Sequence, residues 1–140
     1  MLHQDLIRVS WQCVHFAYVP NVVNLQRKLL EHGVQAPEIV GSALRTDEEL
    51  LKAVAVALRF PDYFGMNWDA LDECIRDLSW LPTGQVVLAH SDVPLAGDPT
   101  NQGVYLSIIT SAIAYWMNVP DRDLLVTFPV ECRTQVEQLR

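Results

Sequence analysis

Strand patterns alternate with helical patterns along almost the whole chain, and this alternation is what most limits its fold. The predicted strands cover residues 12–19, 38–44, 85–90 and 124–128. The prediction of the second strand rests only on a short apolar pair. Apolar residues at helical spacing predict helices between the strands. Because helices connect the strands, the order β-α-β-α-α-β-α-β predicts an α/β fold with a small, mainly parallel sheet covered by helices.

The predicted helices have recognisable boundaries. The first covers residues 21–32, and the second is opened by a capping box of Thr46 and Glu49. The third is opened by Asn67 and runs to about residue 78, and the fourth covers the uncharged residues 104–117. A loop is predicted over residues 91–101, which contain two prolines and a glycine.

Size and charge exclude several classes of protein. A chain of 140 residues, half of them hydrophobic, is suited to one domain with a core of its own. A net charge of −7 and a pI near 4.9 count against a nucleic-acid-binding protein, which needs clustered Lys and Arg. The apolar run over residues 104–117 is too short and too interrupted to span a membrane. Residues 1–20 lack the pattern of a signal peptide, so we expect a cytoplasmic protein.

No catalytic or metal-binding arrangement is recognisable. The three cysteines, Cys13, Cys74 and Cys132, are far apart and form no C-x-x-C, so we expect reduced, buried thiols and neither a disulfide nor a metal site. The four histidines are scattered and no glycine-rich phosphate loop is present. We therefore expect a protein that is not an enzyme and that needs no cofactor and no small-molecule substrate.

The most informative segment is residues 60–80. On a helix that starts at Trp68, an apolar face forms with 3-4-3 spacing, and the acidic residues fall on the other side. Between Asp62 and Asp77 there are five acidic residues and one basic residue. A solvated acidic face is one interpretation. However, Tyr63 and Phe64 stand in the loop that enters this helix, and aromatic residues beside carboxylates are typical of a protein-binding surface.

This segment resembles the barstar family of intracellular ribonuclease inhibitors. The resemblance is carried by Pro61-Asp62-Tyr63-Phe64-Gly65, Asn67, Asp69-Ala70-Leu71 and Cys74. It implies a barstar-like core over residues 36–130, within a single domain that is extended by a strand and a helix over residues 1–35. It also implies a stoichiometric inhibitor, a bacterial immunity protein of a toxin–antitoxin pair, that plugs the cationic active site of a basic ribonuclease or other nuclease toxin.

Family positions give a candidate partner-binding surface: Tyr63, Phe64, Asn67, Trp68, Asp69, Asp72 and Glu73. Two positions depart from the family pattern, because Asp72 replaces a tryptophan and Glu73 replaces the usual aspartate. Arg76, one turn beyond Asp72, is expected to neutralise part of the surface. The alternative function is an interaction module that uses the same acidic face for a partner other than a toxin.

Overall fold

A five-stranded sheet forms the centre of the molecule. The computed structural model describes residues 7–8, 14–17 and 38–139. The strands are β1 (Ile7–Arg8), β2 (Val14–Ala17), β3 (Glu38–Ile39), β4 (Gly84–His90) and β5 (Arg122–Pro129). Their spatial order is β1-β2-β5-β4-β3. All neighbouring strands are parallel except β1 and β2, so the predicted α/β fold with a mainly parallel sheet is confirmed.

The described part of the chain also contains four α-helices and two short 3-10 helices. The α-helices are α1 (Asp47–Ala57), α2 (Trp68–Ile75), α3 (Pro99–Trp116) and α4 (Arg133–Gln138), and the 3-10 helices are Gly41–Ala43 and Val130–Cys132. None of these helices is long and apolar enough to cross a membrane. The capping box predicted at the start of α1 is present, with Thr46 and Glu49 each bonded to the other's backbone.

Several element boundaries differ from the prediction. Helix α2 ends at Ile75 rather than near residue 78, because Leu78 has a left-handed backbone with φ of 49°. Helix α3 begins at Pro99, within the predicted loop, because the Asp98 carboxylate accepts the backbone N–H of Asn101 and caps it. Helix α4 was not predicted. The predicted helix over residues 21–32 lies outside the described residues, and the division at residue 35 stays a prediction.

The hydrophobic core lies between the helices and one face of the sheet. Alternate strand residues join this core: Val86 and Leu88 from β4, and Leu124, Val126 and Phe128 from β5. The alternating residues between them, such as Val87 and Leu125, are buried as well, so both faces of these central strands are covered. This double burial explains why β4 and β5 read as continuous apolar runs in the sequence.

Candidate protein-binding surface

The loop between α1 and α2 is fixed by a group of three aromatic rings. The Phe60 ring meets Phe64 with a centroid distance of 4.9 Å and Trp80 with one of 5.8 Å, both edge to face. The Trp80 indole N–H donates to the Leu58 carbonyl at 2.9 Å. Phe64 is therefore half-buried, whereas its neighbour Tyr63 is 70% exposed. Of the two loop aromatics in the predicted surface, Tyr63 is the one that faces solvent.

Helix α2 begins with a side-chain cap at Asn67. The Asn67 Oδ1 atom accepts the backbone N–H of Ala70 at 2.8 Å, and its Nδ2 donates to the Gly65 carbonyl at 3.3 Å. Met66, just before the cap, has a left-handed backbone with φ of 54° and is exposed. Left-handed backbone in a residue other than glycine is often found at functional sites, because the surrounding structure must hold it there.

Two exposed carboxylates form the middle of the α2 surface. Asp69 and Glu73 are one helical turn apart, so they project along one line on the outer side of the helix. Neither makes a hydrogen bond or ion pair with another residue in the described part of the chain. Their negative charges are therefore free to meet a partner.

A second line of side chains, Asp72 and Arg76, runs beside the first. The Asp72 carboxylate accepts two hydrogen bonds from Arg76, from Nε to Oδ1 at 3.2 Å and from Nη2 to Oδ2 at 2.9 Å. This bidentate ion pair is partly exposed, at 40% for the arginine side chain and 37% for the aspartate. The predicted ion pair of Asp72 and Arg76 is therefore present.

Tyr63 lies near the C-terminal end of α2, within the electrostatic influence of the Asp77 carboxylate. Desolvation raises the pKa of the Tyr63 phenol, and the negative charge of Asp77 raises it further, so the hydroxyl keeps its proton. The exposed phenol is therefore available to a partner as a hydrogen-bond donor.

Cys74 lies beneath this surface as a buried thiol. The thiol is buried and free. Burial raises its pKa, and the carboxylates of Asp77 and Glu73 raise it further, so the nucleophilic thiolate is disfavoured. Cys132 is likewise free, and its burial is as expected, whereas Cys13 lies outside the described residues.

Trp68 links the start of α2 to a buried polar pair. The half-buried Trp68 ring lies 6.4 Å from that of Tyr105 in α3, and the Tyr105 hydroxyl is 2.6 Å from Nε2 of His90 in β4. The other ring nitrogen of His90 is 3.0 Å from the Thr127 carbonyl. Because a carbonyl only accepts, Nδ1 carries the proton of the neutral ring, and Nε2 accepts from Tyr105.

We expect the neutral His90 ring to make stability depend on pH. Burial lowers the pKa of His90 from 6.5 to about 4 in the folded protein. Between these values the unfolded chain takes up a proton that the folded chain does not. The free energy of unfolding therefore keeps its full value above pH 6.5. As the pH falls from 6.5 towards 4, it decreases by up to about 1.4 kcal/mol per pH unit.

Urea unfolding at half-unit steps from pH 7.5 to 5 measures this dependence. The control is His90→Gln, which retains an acceptor for Tyr105 but does not titrate. In this variant, the free energy of unfolding should depend less steeply on pH, by the slope that the uptake of one proton causes. An unchanged slope would contradict the assignment of the ring as neutral.

The C-terminal end of α2 is tied to α3 and to the sheet. The Trp116 indole N–H donates to the Ile75 carbonyl at 2.8 Å. Arg122, in β5, lies 5.6 Å from the centre of the Trp116 ring and donates to the carbonyls that follow α2, those of Leu78, Leu81 and Pro82. Together with the cap at its first turn, these bonds make α2 a fixed platform for its outer side chains.

The structure thus separates the predicted surface residues into two groups. Tyr63, Asn67, Asp69 and Glu73 are exposed, and Phe64, Trp68 and Asp72 are half-buried and engaged by neighbours. Met66 and Asp77 were not included in the predicted surface, yet both are exposed beside it. Met66 could have been found from the sequence as a large apolar residue in a loop, and Asp77 as an acid one turn beyond Glu73.

The family comparison agrees with this geometry. Residues 34–131 match the family model described as Barstar (barnase inhibitor). The chain belongs to the barstar family. Its members are inhibitor proteins rather than enzymes, and barnase, a ribonuclease, is the target in the family description. The match covers α1, the aromatic loop, α2, α3 and the strands β3 to β5, so the whole candidate surface lies within the barstar region. No curated protein sequence matches the chain.

Proposed function

We propose that this protein is a stoichiometric inhibitor, an immunity protein, of a basic ribonuclease toxin in the bacterial cytoplasm. The observation that carries the proposal is the pair of free carboxylates, Asp69 and Glu73, displayed on a fixed helix that follows the loop with the exposed ring of Tyr63. A ribonuclease binds the phosphates of RNA with cationic side chains. Carboxylates accept charge-assisted hydrogen bonds from the same cations.

Inhibition then follows from occupation of the enzyme's active site. Asp69 and Glu73 take the places of RNA phosphates, and the Tyr63 ring adds an aromatic contact at low cost in conformational entropy. Opposite charges also steer the two proteins together, so association is fast at low salt and slower as salt screens beyond about 8 Å.

A titration of ribonuclease activity tests the proposal. Barnase and a panel of basic ribonuclease toxin domains are each assayed for RNA cleavage with increasing amounts of the protein. For at least one enzyme, activity should fall linearly to zero at one inhibitor per enzyme. If the protein inhibits no enzyme of the panel but binds a basic protein of another kind, the result would instead support the alternative function, an interaction module for a partner other than a toxin.

The variant Tyr63→Ala tests whether Tyr63 contributes to binding of the ribonuclease. We expect a loss of about 2 kcal/mol or more in binding free energy, as for a central aromatic contact. The matched control is Tyr115→Ala, which removes a tyrosine that is 44% exposed on α3, outside the candidate surface. Equal losses for both variants, measured as inhibition constants, would remove Tyr63 from the surface.

A further inference from the structure

The Arg76 guanidinium has a free edge on the candidate surface. Asp72 occupies the edge formed by Nε and Nη2, and Nε also donates to the Asp72 backbone carbonyl. The remaining edge, formed by Nη1 and the second N–H of Nη2, makes no hydrogen bond to any other residue that the structure describes. The side chain is 40% exposed, so this edge is accessible to a partner.

The free edge is held in a defined orientation. The two bonds to Asp72 fix the plane of the guanidinium, and the partner need not immobilise a flexible side chain. Two parallel N–H groups on one edge match the two oxygens of a carboxylate. The arginine therefore combines a positive charge with a geometry suited to one chemical group.

The position of this edge gives the surface a mixed charge pattern. Arg76 is the only basic residue between Asp62 and Asp77, and it lies three residues beyond Glu73, on the neighbouring line of α2. A partner that is uniformly cationic would place a positive charge against the guanidinium, and like charges in contact are costly. The surface as a whole therefore fits a partner whose own charges are mixed in the complementary way.

We propose that the partner presents a carboxylate side chain opposite Arg76, next to the cationic groups that meet Asp69 and Glu73. This inference rests on the proposed function, because it concerns the same surface. It makes Arg76 a specificity-determining residue: ribonucleases with an acidic residue at the matching position are accepted, and those with a basic residue there are rejected.

Arg76→Gln distinguishes this role from simple neutralisation of Asp72. If the guanidinium meets a carboxylate, the variant should bind the inhibited ribonuclease about tenfold more weakly or worse, mainly through faster dissociation. If Arg76 only neutralises Asp72, the variant exposes another negative charge to a basic enzyme and should bind equally well or more tightly. Only the proposed role therefore predicts weaker binding.

The chain offers a matched control at a second ion pair. Arg133 and Glu137 in α4 form an i, i+4 pair at 3.0 Å with similar exposure, so Arg133→Gln changes the net charge by the same amount outside the surface. It should alter only the association rate, and only slightly. A third variant, Arg76→Lys, keeps the charge without the paired N–H groups and should recover part of the affinity.

Exchange of the two residues, Asp72→Arg with Arg76→Asp, keeps the net charge and a helical ion pair but moves the guanidinium by one turn. We expect a loss of at least about tenfold, with circular dichroism and melting temperature close to those of the wild type. Wild-type affinity in the exchanged variant, or unweakened binding by Arg76→Gln, would overturn this inference while the proposed function stands. If the wild-type protein inhibits no ribonuclease in the panel, the proposed function fails and this inference fails with it.

Discussion

Replacement of Glu73 by lysine is expected to weaken binding to the inhibited ribonuclease by about 4 kcal/mol, roughly a thousandfold, while the protein stays folded. The variant loses a charge-assisted hydrogen bond and places a cation against a cationic active site, and both effects have the same sign. Glu73 is exposed and makes no ion pair within the described part of the chain, so no internal partner is left without its charge. Removal of a negative charge one turn from Asp69 also relieves a small repulsion in the free helix.

The control for this result is Glu48→Lys. Glu48 is an exposed glutamate in the first turn of α1, so the variant makes the same change of net charge on a helix outside the candidate surface. Dissociation constants are measured by calorimetry at low and moderate salt. The control should lose well under 1 kcal/mol, mostly through slower association. Similar losses for Glu48→Lys and Glu73→Lys would show that only the overall charge matters.

Truncation of the buried side of the same helix should affect stability instead. Leu71 and Ile75 are both fully buried, and we expect Leu71→Ala and Ile75→Ala each to lower the free energy of unfolding by about 2–5 kcal/mol. Domains of this kind have about 5–15 kcal/mol in total, so either change removes a large fraction. Urea unfolding measures the effect, with Glu73→Ala as the control on the outer face. A loss of more than about 1 kcal/mol in Glu73→Ala would show that its carboxylate has a structural role.

The fold was predictable where local chemistry decides the structure. The capping residues Thr46 and Asn67 mark the starts of α1 and α2, and apolar runs mark β4 and β5. The end of α2 was not predictable, because it depends on contacts distant in sequence. Leu78 continues the apolar spacing of the helix, yet its carbonyl is bound by Arg122, and its backbone turns left-handed. Helix α4 has only six residues, too few for a clear periodic pattern.

The candidate surface was predictable in its charges but not in the position of its exposed tyrosine. The spacing of Asp69 and Glu73 is enough to place both carboxylates on one side of a helix, and an i, i+4 pair of Asp72 and Arg76 follows from the same rule. The proximity of Tyr63 to the Asp77 carboxylate requires the loop to fold back along α2. That path is set by tertiary packing of the aromatic rings, which no local pattern reveals.

The division of α2 into a buried side and a displayed side has an evolutionary consequence. Substitutions at exposed positions that hold no structural contact usually change stability by less than about 0.5 kcal/mol, so Asp69 and Glu73 are free to vary as a partner varies. Asn67 is different, since its side chain both caps the helix and faces solvent, and Asp, Ser and Thr are the replacements that retain a capping oxygen. A lineage that changes partners can therefore substitute most of the exposed side chains of this surface while it keeps the same fold.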